Sequence, residues 1–424
     1  LTRSDIQIIQ QNRLKQYDWL WKVLVYGSYL DFIFIKKLKN MVTIDDVIKN
    51  NHFICKQGIK EKDKDRKKNK NKEIDVSSLV GLNYIVTKKV KKFCINSNDA
   101  KWELSKVGYI YRDKHQNIVT DLYKAPILLI TGGTTVDLRA VSAISYSDGV
   151  FKSSLTGIRG VGNSDISILR DIMGVLNSSF FAYYNILTFS SSGIEREETH
   201  DSEKWSVPYC KGLDKVVGVV ENTTAEFYNT VMKDSLKKQQ INSQIKLIDD
   251  QICNLFHCSD VEKDLIDYAL QVSIPLAIKP KGYQHIFRAV RLNDKILKDY
   301  AQVYINHFAK SFNRNGKRFV VEIQYSNQII GMFFKIVDDN ESLDDILFLP
   351  NDNVLSSVMA LLSSEKVTEQ LFVQKDIRGF ERDYFYIFKP NEKRLWHKAI
   401  AYLDVNEFDN AMLRVGRSKN DDKF

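Results

Sequence analysis

The sequence has few prolines and cysteines for its 424 residues: six prolines, no two of them adjacent, and five cysteines. It has no apolar run long enough to span a bilayer, and its first residues lack the basic, apolar and small-residue order of a signal peptide. The odd number of cysteines is typical of reduced thiols rather than a disulfide framework. We therefore expect a cytoplasmic protein that does not enter a membrane.

Several catalytic motifs are also absent. The sequence contains no G-x-x-x-x-G-K-[ST] loop and no G-x-S-x-G elbow, and the glycines at 157, 160 and 162 have the wrong spacing for a dinucleotide fingerprint. Cys253, His257 and Cys258 lie close together, but a tetrahedral zinc site needs a fourth ligand, and none lies at a suitable spacing. We predict neither nucleotide hydrolysis nor a metal site in this chain.

Negative charge is scarce only in the first part of the chain. The formal net charge is +9, yet residues 1–125 carry 26 Lys and Arg against 14 Asp and Glu, which leaves 36 against 39 for the rest. The densest part lies between Lys56 and Lys72 and includes four closely spaced lysines, Lys67, Lys68, Lys70 and Lys72. Two interpretations remain open: the run binds DNA phosphates, or it is a solvated loop.

Hydrophobic periodicity predicts an α+β fold with two folded units. We divide the chain into an N-terminal segment 1–50, a lysine-rich loop 51–75, a mixed α+β domain 76–225, a helical spacer 226–274 and a C-terminal α+β accessory domain 275–424.

Individual elements follow from local patterns. Thr43 before Asp45 and Asp46 is typical of the N-cap of a helix Ile44 to Lys49. Short apolar runs predict strands at Pro126 to Ile130 and Leu138 to Ile144, and apolar residues at helical spacing predict a helix Ile166 to Leu176 that Asn163 or Ser164 caps. Further predicted elements are a spacer helix with Ile241, Ile245, Ile248, Ile252 and Leu255 on one side, helices Leu297 to Phe312, Val354 to Leu362 and Ala399 to Leu413, a hairpin of strands Arg318 to Tyr325 and Gln328 to Val337, and a strand Tyr384 to Lys389.

One stretch carries a family resemblance. It reads L-N-S-S-F-F-A-Y-Y from Leu176, then S-S-S-G-I-E-R-E from Ser190, then W-S-V-P-Y from Trp205. This order resembles the target-recognition part of type II, type IIG-like restriction-modification N6-adenine DNA methyltransferases. W-K-V-L-V-Y-G from Trp21, P-I-L-L-I from Pro126 and I-D-D-Q-I-C-N-L-F from Ile248 keep the same order, so the resemblance covers roughly residues 17–270.

The resemblance implies sequence-specific binding of double-stranded DNA in a restriction-modification or phage-defence system. It does not imply catalysis by this chain, because the N-P-P-Y loop that holds the target adenine requires adjacent prolines, and the methyl-donor glycine loop is absent as well. We expect no cofactor here and expect S-adenosylmethionine in a missing catalytic methyltransferase domain or partner subunit. Because residue 1 is Leu1, we expect the downstream part of a longer polypeptide or of a split enzyme.

Base reading needs cationic side chains on a rigid frame, and the candidates are Lys124, Arg139, Arg159 and Arg196. The alternative for each is a surface ion pair, and for Arg196 a turn network with the neighbouring glutamates. For Arg139, strand alternation predicts an outward guanidinium with no acid nearby. Tyr183 and Tyr184 are expected in the core rather than against bases.

Two other functions remain open. A type I specificity-type subunit would also carry an L-N-S helix and a helical spacer, but it should show two recognition domains in tandem. A non-catalytic cytosolic interaction protein would leave the lysine run passive. Salt-sensitive DNA binding separates the last class from the others.

Overall fold

A computed structural model describes residues 9–61, 74–96, 100–104, 108–110, 120–160, 162–194, 199–230, 235–339, 344–350, 376–381 and 383–421. The chain forms two compact units, one of residues 12–278 and one of residues 279–424 together with the first eleven residues. The predicted α+β class is confirmed. Within the described ranges, no helix combines the length and the hydropathy needed to cross a lipid bilayer.

The unit 12–278 combines helices with short strands. Its helices are α1 (Gln11–Gln16), α2 (Leu20–Tyr26), α3 (Tyr29–Leu38), α4 (Ile44–Asn50), α5 (Ile166–Leu176), α6 (Ser179–Thr188), α7 (Asp201–Trp205), α8 (Asp214–Asn229), α9 (Ser235–Leu255), α10 (Asp260–Tyr268) and α11 (Ile274–Ile278). Its strands are β1 (Ile54–Gln57), β2 (Lys60–Glu61), β3 (Asn83–Tyr84), β4 (Val90–Lys91), β5 (Cys94–Ile95), β6 (Tyr109–Ile110), β7 (Ile127–Thr134), β8 (Ala140–Ser145), β9 (Gly149–Val150) and β10 (Leu155–Arg159).

A four-stranded antiparallel sheet in the order β1-β10-β7-β8 forms the centre of this unit. One face buries Ile127, Leu129 and Ala143 in a core with Tyr123 and Phe151. Helix α5 packs on β8 at the sheet edge, and the small hairpin of β4 and β5 also contacts β8. The sheet therefore has a covered edge strand, which suits a rigid frame.

Sequence patterns located some of these elements but not every boundary. Thr43 caps α4 as predicted, accepting a hydrogen bond from the Asp46 backbone N–H at 3.2 Å. The predicted cap of α5 is wrong: a 3₁₀ turn over Asn163–Asp165 precedes the helix, and Asp165 makes no side-chain cap bond. Strand β8 starts at Ala140 rather than Leu138, because Leu138 has φ +60°, which a strand does not accommodate.

The predicted spacer helix is present as α9, which packs along α8. Of its apolar series only Ile248 and Ile252 are buried, while Ile241 and Ile245 are half-buried and Leu255 is exposed. The buried pair lies in the C-terminal half of the helix, so only that half contributes to the core.

The second unit packs two helices against a five-stranded sheet. Helices α12 (Lys295–Phe312) and α13 (Lys398–Asp421) accompany the strands β11 (Lys317–Tyr325), β12 (Ile329–Asp338), β13 (Ile346–Pro350), β14 (Ile377–Phe380) and β15 (Tyr384–Pro390). The strand order is β13-β11-β12-β15-β14, with β11 and β13 parallel. The predicted hairpin, the strand from Tyr384 and both helices are confirmed, and the terminal helix is longer than predicted. The predicted helix Val354 to Leu362 lies outside the described residues.

Candidate nucleic-acid interface

The L-N-S motif holds the edge strand of the sheet. Asn177 is fully buried, and its Oδ1 accepts a hydrogen bond from the Ser142 backbone N–H at 2.9 Å while its Nδ2 donates to the Ser142 carbonyl at 2.9 Å. The side-chain amide thus pairs with β8 as a neighbouring strand would. Ser178 then caps α6 by accepting from the Phe181 backbone N–H at 3.1 Å. The motif fixes the geometry of the sheet edge.

Helix α6 is tied to distant parts of the unit. At its first residue, the Ser179 backbone N–H donates to the Asp249 carboxylate of α9 at 2.7 Å. Tyr183 donates from its hydroxyl to the Asp31 carboxylate of α3 at 2.9 Å. Tyr183 and Tyr184 are fully buried, as predicted. Helix α6 therefore connects the N-terminal helices to the spacer helix.

The S-S-S-G turn rests on helix α2. Lys22, which is fully buried, donates from Nζ to the Ser192 carbonyl, and Tyr26 donates from its hydroxyl to the Gly193 carbonyl at 2.8 Å. Gly193 has φ +76°, a conformation that favours glycine. Burial lowers the pKa of Lys22 to about 8, although Glu203 opposes this. The turn thus depends on a glycine and on a buried lysine.

Lys124 and Arg159 lie together at one end of the sheet. Arg159 is the last residue of β10, opposite Ile127, and its Nε donates to the Lys124 carbonyl at 3.3 Å. Lys124 is 57% exposed and forms an ion pair with Asp121 at 2.8 Å; its hydrogen bond and charge lower the pKa of that carboxyl. Such an exposed pair contributes little to stability, so Lys124 remains available to a phosphate at small cost.

The geometric prediction for Arg139 is wrong. Arg139 precedes β8, and its side chain is only 16% exposed, with Nε 3.0 Å from the Asp137 carboxylate and Nη1 3.7 Å from that of Asp249. Burial raises the pKa of Asp249, and the nearby guanidinium opposes this rise. Two acids therefore contradict the expectation of none nearby: Asp137, two positions before Arg139, and Asp249 of α9, 110 positions away.

The sheet register separates these cations. Arg159 pairs with Ile127 at the start of β7. Arg139 directly precedes Ala140, which pairs with Thr134 at the other end of β7. At about 3.3 Å per residue, the eight residues of β7 place the two arginines roughly 25 Å apart. The sheet thus brings together Lys124 and Arg159 but not Arg139. Lys67, Lys68, Lys70, Lys72 and Arg196 lie outside the described residues.

A cleft lined by both polar and apolar residues opens at the Lys124 end of the sheet. It has a volume of about 630 Å³, and we call it the Tyr146 cleft. One wall comes from the end of β8 and from α5 and α8; the other comes from β3 and the β4–β5 hairpin. The polar residues that line it are Asn83, Tyr84, Lys89, Asn96, Ser145, Tyr146, Ser147, Arg170, Glu221 and Asn222.

Ionic contacts support one wall of the cleft. Arg170 contacts Glu221 through Nε at 2.6 Å and Asp214 through Nη1 at 3.1 Å. Burial raises the pKa of Glu221, and the charge of Arg170 opposes that rise. Burial, together with the adjacent Glu221, raises the pKa of Tyr146 to about 12, so the phenol stays neutral at physiological pH.

The opposite wall contains one lysine, Lys89, and belongs to a basic segment. Residues 87–96 of the β4–β5 hairpin contain Lys88, Lys89, Lys91 and Lys92 and no acid. The hairpin is fixed to β8 by a hydrogen bond from the Phe93 backbone N–H to the Ser142 carbonyl at 3.0 Å. Lys92 lies 3.8 Å from Asp137, and burial lowers its pKa, whereas Lys88 is exposed and Lys89 lines the cleft.

Tyr146, Arg170 and Glu221 were not predicted as site residues. They come from three different elements, and no short-range motif links them. A local signal existed only for Tyr146, which lies in the short connection between β8 and β9, where ligand contacts often occur.

No protein-family model matches this chain, and no curated protein matches it. In the part of the chain that the structure describes, no group of three or more His, Cys, Asp or Glu side chains could hold a metal ion.

Proposed function

We propose that the unit 12–278 is a target-recognition domain that binds double-stranded DNA on behalf of an N6-adenine methyltransferase domain or subunit. One observation carries this proposal. Separate stretches that bear the resemblance are joined by hydrogen bonds, through Ser179 to Asp249 and through Lys22 and Tyr26 to the S-S-S-G turn. Asn177 and Tyr183 tie the same framework to β8 and α3. Such interlocking accounts for why these residue types occur in this order.

The positions of the cations indicate which end of the sheet would face DNA. In the sheet, Arg159, Ile127 and Ser145 occupy one row across β10, β7 and β8. Since neighbouring strands lie about 4.8 Å apart, Arg159 is roughly 10 Å from the rim of the Tyr146 cleft at Ser145. Lys124 and Arg159 therefore lie beside the cleft that Lys89 lines, an arrangement that suits contacts to phosphates of one strand.

In this proposal, a catalytic domain or partner subunit carries out methyl transfer. The chain has no adjacent prolines for a base-holding N-P-P-Y loop, so its residues do not fit that part of the reaction. Binding of S-adenosylmethionine is accordingly assigned to the catalytic domain or subunit, and the recognition domain contributes register and sequence choice.

The proposal predicts salt-dependent DNA binding that depends on Lys124 and Arg159. Replacing both by serine in the full chain should weaken binding to any 30-base-pair duplex and reduce the slope of log affinity against log salt by up to about 0.9 per lost phosphate contact. Fluorescence anisotropy between 50 and 200 mM salt, roughly the range in which such contacts are sensitive, measures both quantities.

A matched control uses the second unit. Lys295 is 84% exposed and pairs with Asp299 at 2.6 Å, as Lys124 pairs with Asp121, and Arg314 is likewise exposed. Replacing Lys295 and Arg314 by serine should leave the affinity and the slope unchanged. Equal losses in both double variants would remove the proposed interface, and undetectable DNA binding by the unaltered chain would favour the non-catalytic interaction protein.

A further inference from the structure

Tyr146 is held at both ends while its ring faces solvent. The backbone is fixed because the residue directly follows β8, and the hydroxyl donates to the Glu221 carboxylate at 2.9 and 3.0 Å from its two oxygens. Arg170 adds a hydrogen bond from Nη2 to the same hydroxyl at 3.2 Å. Yet Tyr146 is 54% exposed. A side chain with a fixed hydroxyl and a half-exposed ring has lost its rotamer freedom while burying only part of its apolar area.

Holding Tyr146 in this way requires a buried ion pair, which indicates that the fixed ring serves a ligand. Glu221 is only 6% exposed, so its charge is desolvated and requires Arg170 as a partner. The pair orients a ring that does little for the core. An aromatic ring that is immobilised beforehand binds a flat ligand with less loss of entropy than a mobile one.

The cleft beside the ring has the chemistry of a nucleobase site. Its volume of about 630 Å³ lies in the range typical of small-ligand sites. Asn96 and Asn222 bring side-chain amides to its walls, and Lys89 brings a cation. Amides can pair with base edges, an aromatic face stacks on any base, and a lysine neutralises an adjacent phosphate.

We propose that the Tyr146 cleft binds one unstacked nucleobase of the bound DNA, with the base on the ring of Tyr146 and its edge toward Asn222 and Asn96. This inference rests on the proposed function and adds to it a preference for DNA that contains an unpaired base. In a fully paired duplex the base must first leave the stack, which costs a few kcal/mol. A base that is already unpaired avoids that cost, so DNA with a single bulged nucleotide binds more tightly.

The test compares two DNAs and several variants of the full chain. Anisotropy gives the affinities for a 30-base-pair duplex and for the same duplex with one bulged 2-aminopurine, whose fluorescence falls when it stacks on an aromatic ring. The unaltered chain should prefer the bulged DNA by about 5- to 100-fold, the range expected for one stacked base, and should quench the probe. Tyr146→Ala should remove both effects, and Tyr146→Trp should keep them.

Two further variants keep the test decisive. Tyr29 is similarly exposed, at 50%, but does not line the cleft, so Tyr29→Ala should keep the preference. If Tyr146→Ala does not fold, Asn222→Ala, at an exposed position of α8, should still reduce the preference for the bulged DNA.

The outcomes distinguish this inference from the proposed function. Binding of both DNAs with equal affinity, or an unchanged preference in Tyr146→Ala and Asn222→Ala, overturns the base site and leaves duplex binding intact. Binding of neither DNA by the unaltered chain overturns the proposed function and, with it, the base site.

Discussion

Replacement of Asn177 by alanine is expected to lower the free energy of unfolding of the unit 12–278 by about 2–4 kcal/mol. The substitution removes the partner of the buried Ser142 backbone N–H and one of two donors to the Ser142 carbonyl; the other, the Phe93 N–H, remains. It also leaves a cavity between α5 and β8. Four of the five tryptophans lie within residues 12–278, so urea unfolding followed by tryptophan fluorescence reports mainly on this unit.

Asn177→Asp keeps the shape of the side chain and removes only its amide donor. Aspartate still accepts from the Ser142 N–H, but it cannot donate to the Ser142 carbonyl, and a buried carboxylate is unfavourable there. We expect it to be no more stable than Asn177→Ala. Asn242→Ala, at an exposed position of α9, should change stability by less than about 0.5 kcal/mol. A loss below 1 kcal/mol, roughly the value of a minor contact, for Asn177→Ala would show that the motif does not hold the sheet edge.

Lys22 is expected to make stability rise with pH. Its pKa is about 8 in the folded protein against 10.5 ordinarily, so between these values the unfolded chain binds more protons than the folded chain does. Stability must then increase with pH across this window, by about 2–3 kcal/mol from pH 7 to pH 10. Below pH 8 the folded state carries the whole cost of a buried ammonium group.

The quantity to measure is the difference in the free energy of unfolding between variants at each pH, because tyrosines and other groups titrate in the same range. Relative to Lys22→Met, the unaltered chain should gain stability as the pH rises. Lys22→Arg cannot lose its proton and should show no such gain, whereas Lys15→Met, at an exposed position of α1, should follow the unaltered chain. Parallel pH profiles for the unaltered chain and Lys22→Met would mean that the lysine is not desolvated.

Local patterns predicted several of the longer helices and strands. Apolar runs located β11 and β12, and helical spacing located α5 and α12. Burial in the strands does not alternate, because three consecutive residues of β11, Phe319 to Val321, are buried. The pattern failed at Leu138, where an apolar residue is buried in a left-handed conformation rather than in a strand. Burial alone does not distinguish the two.

The candidate site was less predictable because it is built from distant residues. Asp249 reaches Arg139 from a different element, and Glu221 reaches Tyr146 across 75 positions. Neither pairing leaves a signal at short spacing. The L-N-S motif was visible in the sequence, but its physical task, pairing a side-chain amide with an edge strand, became apparent only when α5 and β8 were placed together.

Selection from a randomised duplex pool tests the central claim most directly. The full chain is incubated at physiological salt with DNA that contains a random core, and bound molecules are amplified and sequenced over successive rounds. A target-recognition domain should enrich one defined sequence motif, and Lys124→Ser with Arg159→Ser should weaken binding to it. Salt-dependent binding without any enriched motif, or no binding, would contradict the assignment of residues 12–278 as a target-recognition domain.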